Sequence, residues 1–215
     1  LNGYLEDHSY LIEGLLELHH TTFDPQWYQA AAELADTMIT HFHTPGKGFF
    51  DTADDHEALI TRPRDLQDNA TPSGSAMAAT TLLRLAHLAG NYNYVYLARD
   101  VMASVQPMIG RYPLGFGQWL QAASYDLSQH REIVIVGKPE AQDTQALLAV
   151  AQRGYRPFQT IALVAPGTAH IVVPLLQAQD RSPASSEATA YVCTDSTCQL
   201  PVTSPEMLRA LLEKR

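Results

Sequence analysis

The chain has 215 residues, 46% of them hydrophobic and 17% charged, which is enough apolar material for a real core and excludes a disordered composition. Its formal net charge of −9 and the lack of a basic patch argue against a nucleic-acid or anionic-membrane surface. No apolar run reaches the roughly 20 residues of a membrane helix, no signal-peptide pattern opens the sequence, and the expectation is a cytoplasmic protein.

The opening reads as a helical hairpin. Leu11, Ile12, Leu15, Leu16 and His19 recur at helical spacing over residues 7–20. Asp24 is placed to cap a second helix with Pro25 in its first turn, and Tyr28, Ala31, Ala32, Ala35, Met38, Ile39 and Phe42 form its apolar stripe. The stretch from Gly46 to Ala79 then resists a helical reading, with Ala58–Thr61 as a short candidate strand. A third helix starts at Thr71–Ser73, with Thr71 or Ser73 as its cap, and stops at Gly90. Further helices are expected over 92–109 and 113–127.

The pattern changes at His130. Glu132–Val136 and Thr160–Val164 read as buried strands flanking a helix over 140–153, one βαβ unit with a right-handed crossover. Residues 171–173 are strand or loop, 182–186 loop, and 190–193 a third strand; Ser204 or Thr203 caps a last helix that runs to about Lys214. The expected division is residues 1–128 for the helical region and 129–215 for a small α/β subdomain.

Chemistry is sought first in the 46–79 stretch, which interleaves Asp51, Asp54, Asp55, Glu57, Asp65 and Asp68 with His56, Arg62 and Arg64. Acid/base work on a sugar needs two carboxyls roughly 5–10 Å apart across the substrate. Asp51, His56 and Glu57 are the candidate catalytic residues; Asp54, Arg62, Asp65 and Ser73 are candidate ligand contacts. The bland alternative is that the acids are solvated, cap helices or pair with Arg62 and Arg64. No metal site is expected, because no second histidine stands at ligand spacing from His56. The free N–H groups at Ser73–Ser75 suit an anion or a sugar hydroxyl, and more simply a cap.

Elsewhere, His19 and His20 end a helix, where a cation meets the negative end of the dipole. Trp27 and Trp119 are read as core. Ile133–Lys138 resembles the start of a nucleotide-binding unit but lacks both glycine-rich fingerprints, so no cofactor is expected, and Lys138 is a minor anion candidate. Cys193 and Cys198, with four residues between them, fit neither the CxxC redox pattern nor a zinc site; a local disulfide is geometrically open, and free thiols are the reading for a reducing compartment.

Leu5–Ser9 with Leu11–Leu16, Gly48–Thr52, Arg62–Asp65, Thr71–Ser75 and the 191–203 end together resemble large thioredoxin-domain-containing proteins related to the spermatogenesis-associated type, also called YyaL-like. Three positions depart from that pattern: Ser75 replaces the usual Asn, Asn69 stands where Gly is common, and His8 where Tyr is frequent. The resemblance implies a mainly α fold, a partial (α/α)6 toroid of helical hairpins followed by a small α/β unit. It is similar to six-hairpin glycosidases and N-acylglucosamine 2-epimerase. The implied partners are a carbohydrate-like small molecule and an upstream thioredoxin-like domain. The alternative implied role is a non-catalytic helical scaffold that docks such a domain or another protein.

Overall fold

The computed structural model describes residues 3–57, 60–168, 172–177, 187–194 and 197–213. The chain divides into two compact units, Leu1–Leu127 and Ser128–Arg215. Together they are mainly α-helical.

In the first unit, α1 (Leu5–Thr22) begins where the Asp7 carboxylate accepts the Tyr4 N–H at 2.8 Å. It ends at Phe23, whose left-handed backbone (φ 57°) aims its N–H at His19 O. Asp24 caps α2 (Pro25–Phe42) by accepting the Gln26 N–H at 3.0 Å. A short hairpin follows, β1 (His43–Thr44) against β2 (Gly48–Phe49). Positions 58 and 59 lie outside the described residues, and Ile60 and Thr61 form an exposed bend.

Ser73, not Thr71, caps α3 (Gly74–Ala89), its hydroxyl accepting the Ala76 N–H at 3.2 Å. Asn91 caps α4 (Tyr92–Arg111) in the same way. The helix expected from Pro113 starts later: Pro113–Gly115 is a 3-10 turn, and α5 is Gly117–Leu127. The reason is tertiary. Gly115 O is occupied by the Asp68 N–H at 2.8 Å, and a Cβ on Gly115 would fall 2.8 Å from the Gln67 side chain.

Packing places α3 at the centre. It touches α1, α4 and α5, while α2 packs on α1. Twelve of its sixteen residues are buried, five of them Gly, Ser or Ala in its first six positions. Small side chains let backbones approach closely, and a Cβ on Gly74 would lie 3.0 Å from the Glu6 backbone nitrogen. The apolar core includes Leu5, Ile12, Met38, Phe42, Phe49, Leu82, Leu85 and Trp119, each 0–1% exposed. Trp27 is half-buried.

The second unit carries a four-stranded sheet in the order β4-β3-β5-β6, built from β3 (Arg131–Val136), β4 (Gln159–Val164), β5 (Thr189–Thr194) and β6 (Thr197–Cys198). β3 and β4 are parallel, joined through α6 (Gln142–Ala151) as the βαβ reading requires; β5 is antiparallel to β3 and to β6. α6 packs on β3 and on α8 (Pro205–Glu213), which Ser204 caps. Val172 and Val173 are not strand and lead into the single turn α7 (Pro174–Gln177). The expected loop at 182–186 and Lys214 lie outside the described residues.

Two expectations are corrected. Cys193 and Cys198 are not free thiols: they are register partners across β5 and β6, their Cα atoms 3.9 Å apart, and are disulfide-bonded. His19 and His20 do not favour a cation at the helix end. Burial pushes both below the ordinary imidazole range, His19 to about 4, and the charge of His20 adds to the effect on His19. Desolvation outweighs the helix dipole because His19 is 2% exposed in the α1–α2 seam, its ring 6.2 Å from that of Tyr28.

A base whose folded pKa is depressed contributes stability that is present above its unfolded pKa and lost as pH falls through the folded one. The His19 contribution should therefore decline between about pH 6.5 and 4. NMR titration of the ring should give a midpoint near 4, and one above 6 contradicts the burial argument. Replacing both cysteines with serine should cost about 2 kcal/mol in urea unfolding, the loop-closure entropy of so short a ring.

Candidate functional site

The loop from Asp51 to Ser73 is fixed at both ends by backbone hydrogen bonds. Leu5 N–H donates to Asp51 O at 3.0 Å and Asp51 N–H to Pro63 O at 2.9 Å. Arg62 lies over the Phe50 ring at 4.5 Å and donates to the carbonyls of His41 and Thr52. Arg64 Nε donates to Phe49 O at 3.0 Å. Both arginines thus fasten the loop to the end of α2 and to β2. The far end hangs on Asp68, whose two carboxylate oxygens accept the N–H groups of Ser73 and Gln118, each at 2.8 Å. Trp119 Nε1 adds a bond to Leu66 O at 2.8 Å.

This clamping leaves a pocket of about 260 Å³ at the N-termini of α1 and α3. Tyr4 and Glu6 come from α1 and its cap; Ser73 and Gly74 from the start of α3. The loop supplies Asp51, Asp65, Gln67, Asn69, Thr71 and Pro72. Three of the residues singled out from sequence, Asp51, Asp65 and Ser73, therefore meet in one concave site. Asp54, His56, Glu57 and Arg62 are not among its lining residues. The His56 ring lies edge-on 5.6 Å from that of Tyr4, and Glu57 is exposed. Ser73 contributes mainly as the helix cap.

Asp54 belongs to a separate exposed group. His41 Nδ1 and Asp54 Oδ1 are 2.8 Å apart, a bond that raises the imidazole pKa and lowers that of the carboxyl. With Asp55 they present three donor atoms within 4.8 Å of one another. Asp54 is already engaged by His41, so the set reads as a surface ion pair.

Asp51 is the electrostatically distinctive lining residue. Burial raises its carboxyl pKa above the usual range, and the negative charges of Asp65 and Glu6 add to the shift. The Asp65 N–H, donating to Asp51 Oδ2 at 2.8 Å, and the nearby Arg64 oppose it without cancelling it. A carboxyl that keeps its proton to higher pH beside other carboxylates is the arrangement that serves acid/base work on glycosidic oxygens. Among the lining residues, neutral amide and hydroxyl groups from Gln67, Asn69, Thr71 and Tyr4 supply donors and acceptors.

Glu6 was not read from sequence as a site residue. Its signal was its position in the first turn of a helix, which says nothing about a neighbour forty-five residues on. The Leu5–Asp51 hydrogen bond and the Gly74–Glu6 approach bring it there.

The chain is similar to spermatogenesis-associated protein 20. It is 30% identical to the human protein over 215 residues, covering 98% of this chain and 27% of that one. The mouse protein of the same name matches at 30% over 217 residues, 99% and 27% of the two chains. An uncharacterised Caenorhabditis elegans protein matches at 22% over 217 residues, all of this chain and 29% of its own length. No protein-family model matches. This chain thus spans little more than a quarter of the length of the curated relatives it matches. No helix of the described residues is long and apolar enough to cross a membrane.

An acid whose folded pKa is raised contributes stability that is full below its unfolded pKa and lost as pH rises through the folded one. Asp51→Asn removes that dependence. Its thermal midpoint minus that of the parent should be more positive at pH 7 than at pH 4; scanning calorimetry giving the opposite order contradicts the burial of Asp51. Asp68→Ala should cost about 2 kcal/mol in urea unfolding, roughly one for each of the two backbone N–H groups that lose their carboxylate partner.

Proposed function

We propose that the Asp51–Asp65 pocket binds a carbohydrate-like small molecule, and that the helical unit is part of an (α/α)6 toroid whose cleft this pocket lines. The observation that carries the reading is the convergence of Asp51, Asp65 and Glu6 with amide and hydroxyl side chains in one 260 Å³ cavity. Polyhydroxylated ligands are held by such carboxylates and amides, and an aromatic wall such as Tyr4 stacks on a sugar face. The toroid reading is supported by the order of contacts: α1, α3 and α5 pack in succession, α2 packs on α1, and α4 packs on α3. In this proposal Asp51 is the proton donor, Asp65 faces the ligand, and His56 supports Tyr4 edge-on.

A second reading, a helical scaffold that docks a thioredoxin-like domain or another protein, is favoured by one observation. Leu11 and Leu18, two helical turns apart on one face of α1, are 56% and 43% exposed.

Calorimetry with a panel of neutral mono- and disaccharides separates the two. Carbohydrate binding by the parent, weakened at least tenfold by Asp51→Asn and by Asp65→Asn, supports the first. No binding by the parent, or affinities unchanged in both variants, overturns it. Binding of a thioredoxin-like domain that is abolished by Leu11→Glu with Leu18→Glu supports the second.

A further inference from the structure

The pocket does not involve the second unit, where both cysteines of the chain are joined on the β5–β6 hairpin. We propose that Cys193–Cys198 is a thiol-exchange site, and that Cys198 is the sulfur an external dithiol attacks.

The two ends of the bond differ in access. Cys193 is 3% exposed, in a strand held by six register pairs to β3. Cys198 is exposed, in a two-residue strand at the sheet edge, and the residues that follow, Gln199, Leu200 and Pro201, are exposed too, Leu200 at 87%. Attack on a disulfide requires the thiolate to approach one sulfur along the S–S axis, so access selects the sulfur attacked. β6 is the outermost strand of the sheet, and among the described residues no strand pairs beyond Cys198.

The exchange balances as follows. The first thiolate of the dithiol bonds to Cys198 Sγ, the Cys193–Cys198 bond breaks, and Cys193 leaves and takes a proton. The second thiolate attacks the dithiol sulfur of that mixed disulfide, releasing Cys198, which also takes a proton. The protein gains two electrons and two protons, and the dithiol becomes its own cyclic disulfide.

The fold confines the consequence to the hairpin tip. Beyond the disulfide, β6 is held by two register pairs and the Gln199 N–H to Val192 O bond of 2.9 Å. The chain is re-anchored just afterwards, where Ala190 and Val202 exchange hydrogen bonds of 2.8 and 3.0 Å ahead of α8. Reduction should therefore free β6 while β3, β4, β5 and α8 keep their places.

The test is a native titration of the whole chain with dithiothreitol at pH 7, with free thiols trapped by a maleimide and counted by mass. The expected result is no free thiol at the start, two at the end, and an unchanged far-ultraviolet circular dichroism spectrum throughout. In parallel, glutathione disulfide should modify Cys198 in the Cys193→Ser variant at least tenfold faster than it modifies Cys193 in the Cys198→Ser variant. Free thiols in the untreated protein, reduction only where the spectrum shows unfolding, or equal rates in the two variants would each overturn the proposal.

Discussion

The helical unit depends on how closely the start of α3 approaches the start of α1. A Cβ on Gly74 would crowd the Glu6 backbone nitrogen at 3.0 Å, and the run of small residues after it lets α3 sit among its neighbours with most of its length buried. That contact fixes two helix N-termini side by side. The loop carrying Asp51 and Asp65 crosses the gap between them because Leu5 holds Asp51 at one end and Asp68 holds Ser73 and Gln118 at the other. The pocket is a consequence of these anchors rather than of the loop's own composition.

Burial, more than pairing, sets the electrostatics. His19 and Asp51 move in opposite directions, the base down and the acid up, and desolvation is the leading cause for both. In the α1–α2 seam the result is a neutral imidazole that packs like an aromatic ring. At the pocket the result is a carboxyl that retains its proton longer than its neighbours' charges alone would arrange. By contrast, His41 and Asp54 shift through their mutual hydrogen bond at an exposed position, where solvent screening leaves little net stabilisation.

In the α/β unit, an edge strand of two residues would be marginal on its own. The cross-strand disulfide and the return of Val202 to Ala190 hold it in place. The same arrangement buries Cys193 within the sheet and leaves Cys198 at its rim, so the link that closes the edge has one buried and one exposed end.

Sequence by itself determined the elements whose signals are local. Apolar periodicity located α1, α2 and α4; Asp24, Gly90 and Pro25 marked ends; and the β-branched runs 132–136 and 160–164 gave a parallel βαβ pair, because side-chain spacing and cap chemistry act within a few residues. Through the density of acids next to a helix start it also pointed to Asp51, Asp65 and Ser73, which line the pocket, and equally to Asp54, His56, Glu57 and Arg62, which do not. Only the tertiary structure decided the rest. Glu6 joins Asp51 across forty-five residues, Arg62 turns to backbone carbonyls instead of the pocket, and Asp68 ties the cap of α3 to the first turn of α5. Cys193 meets Cys198 because an antiparallel register sets them opposite. The delayed start of α5 follows from Gln67 and Asp68 lying against Gly115. Each depends on a through-space approach or on the desolvation it brings, and neither leaves a mark in the order of residues along the chain.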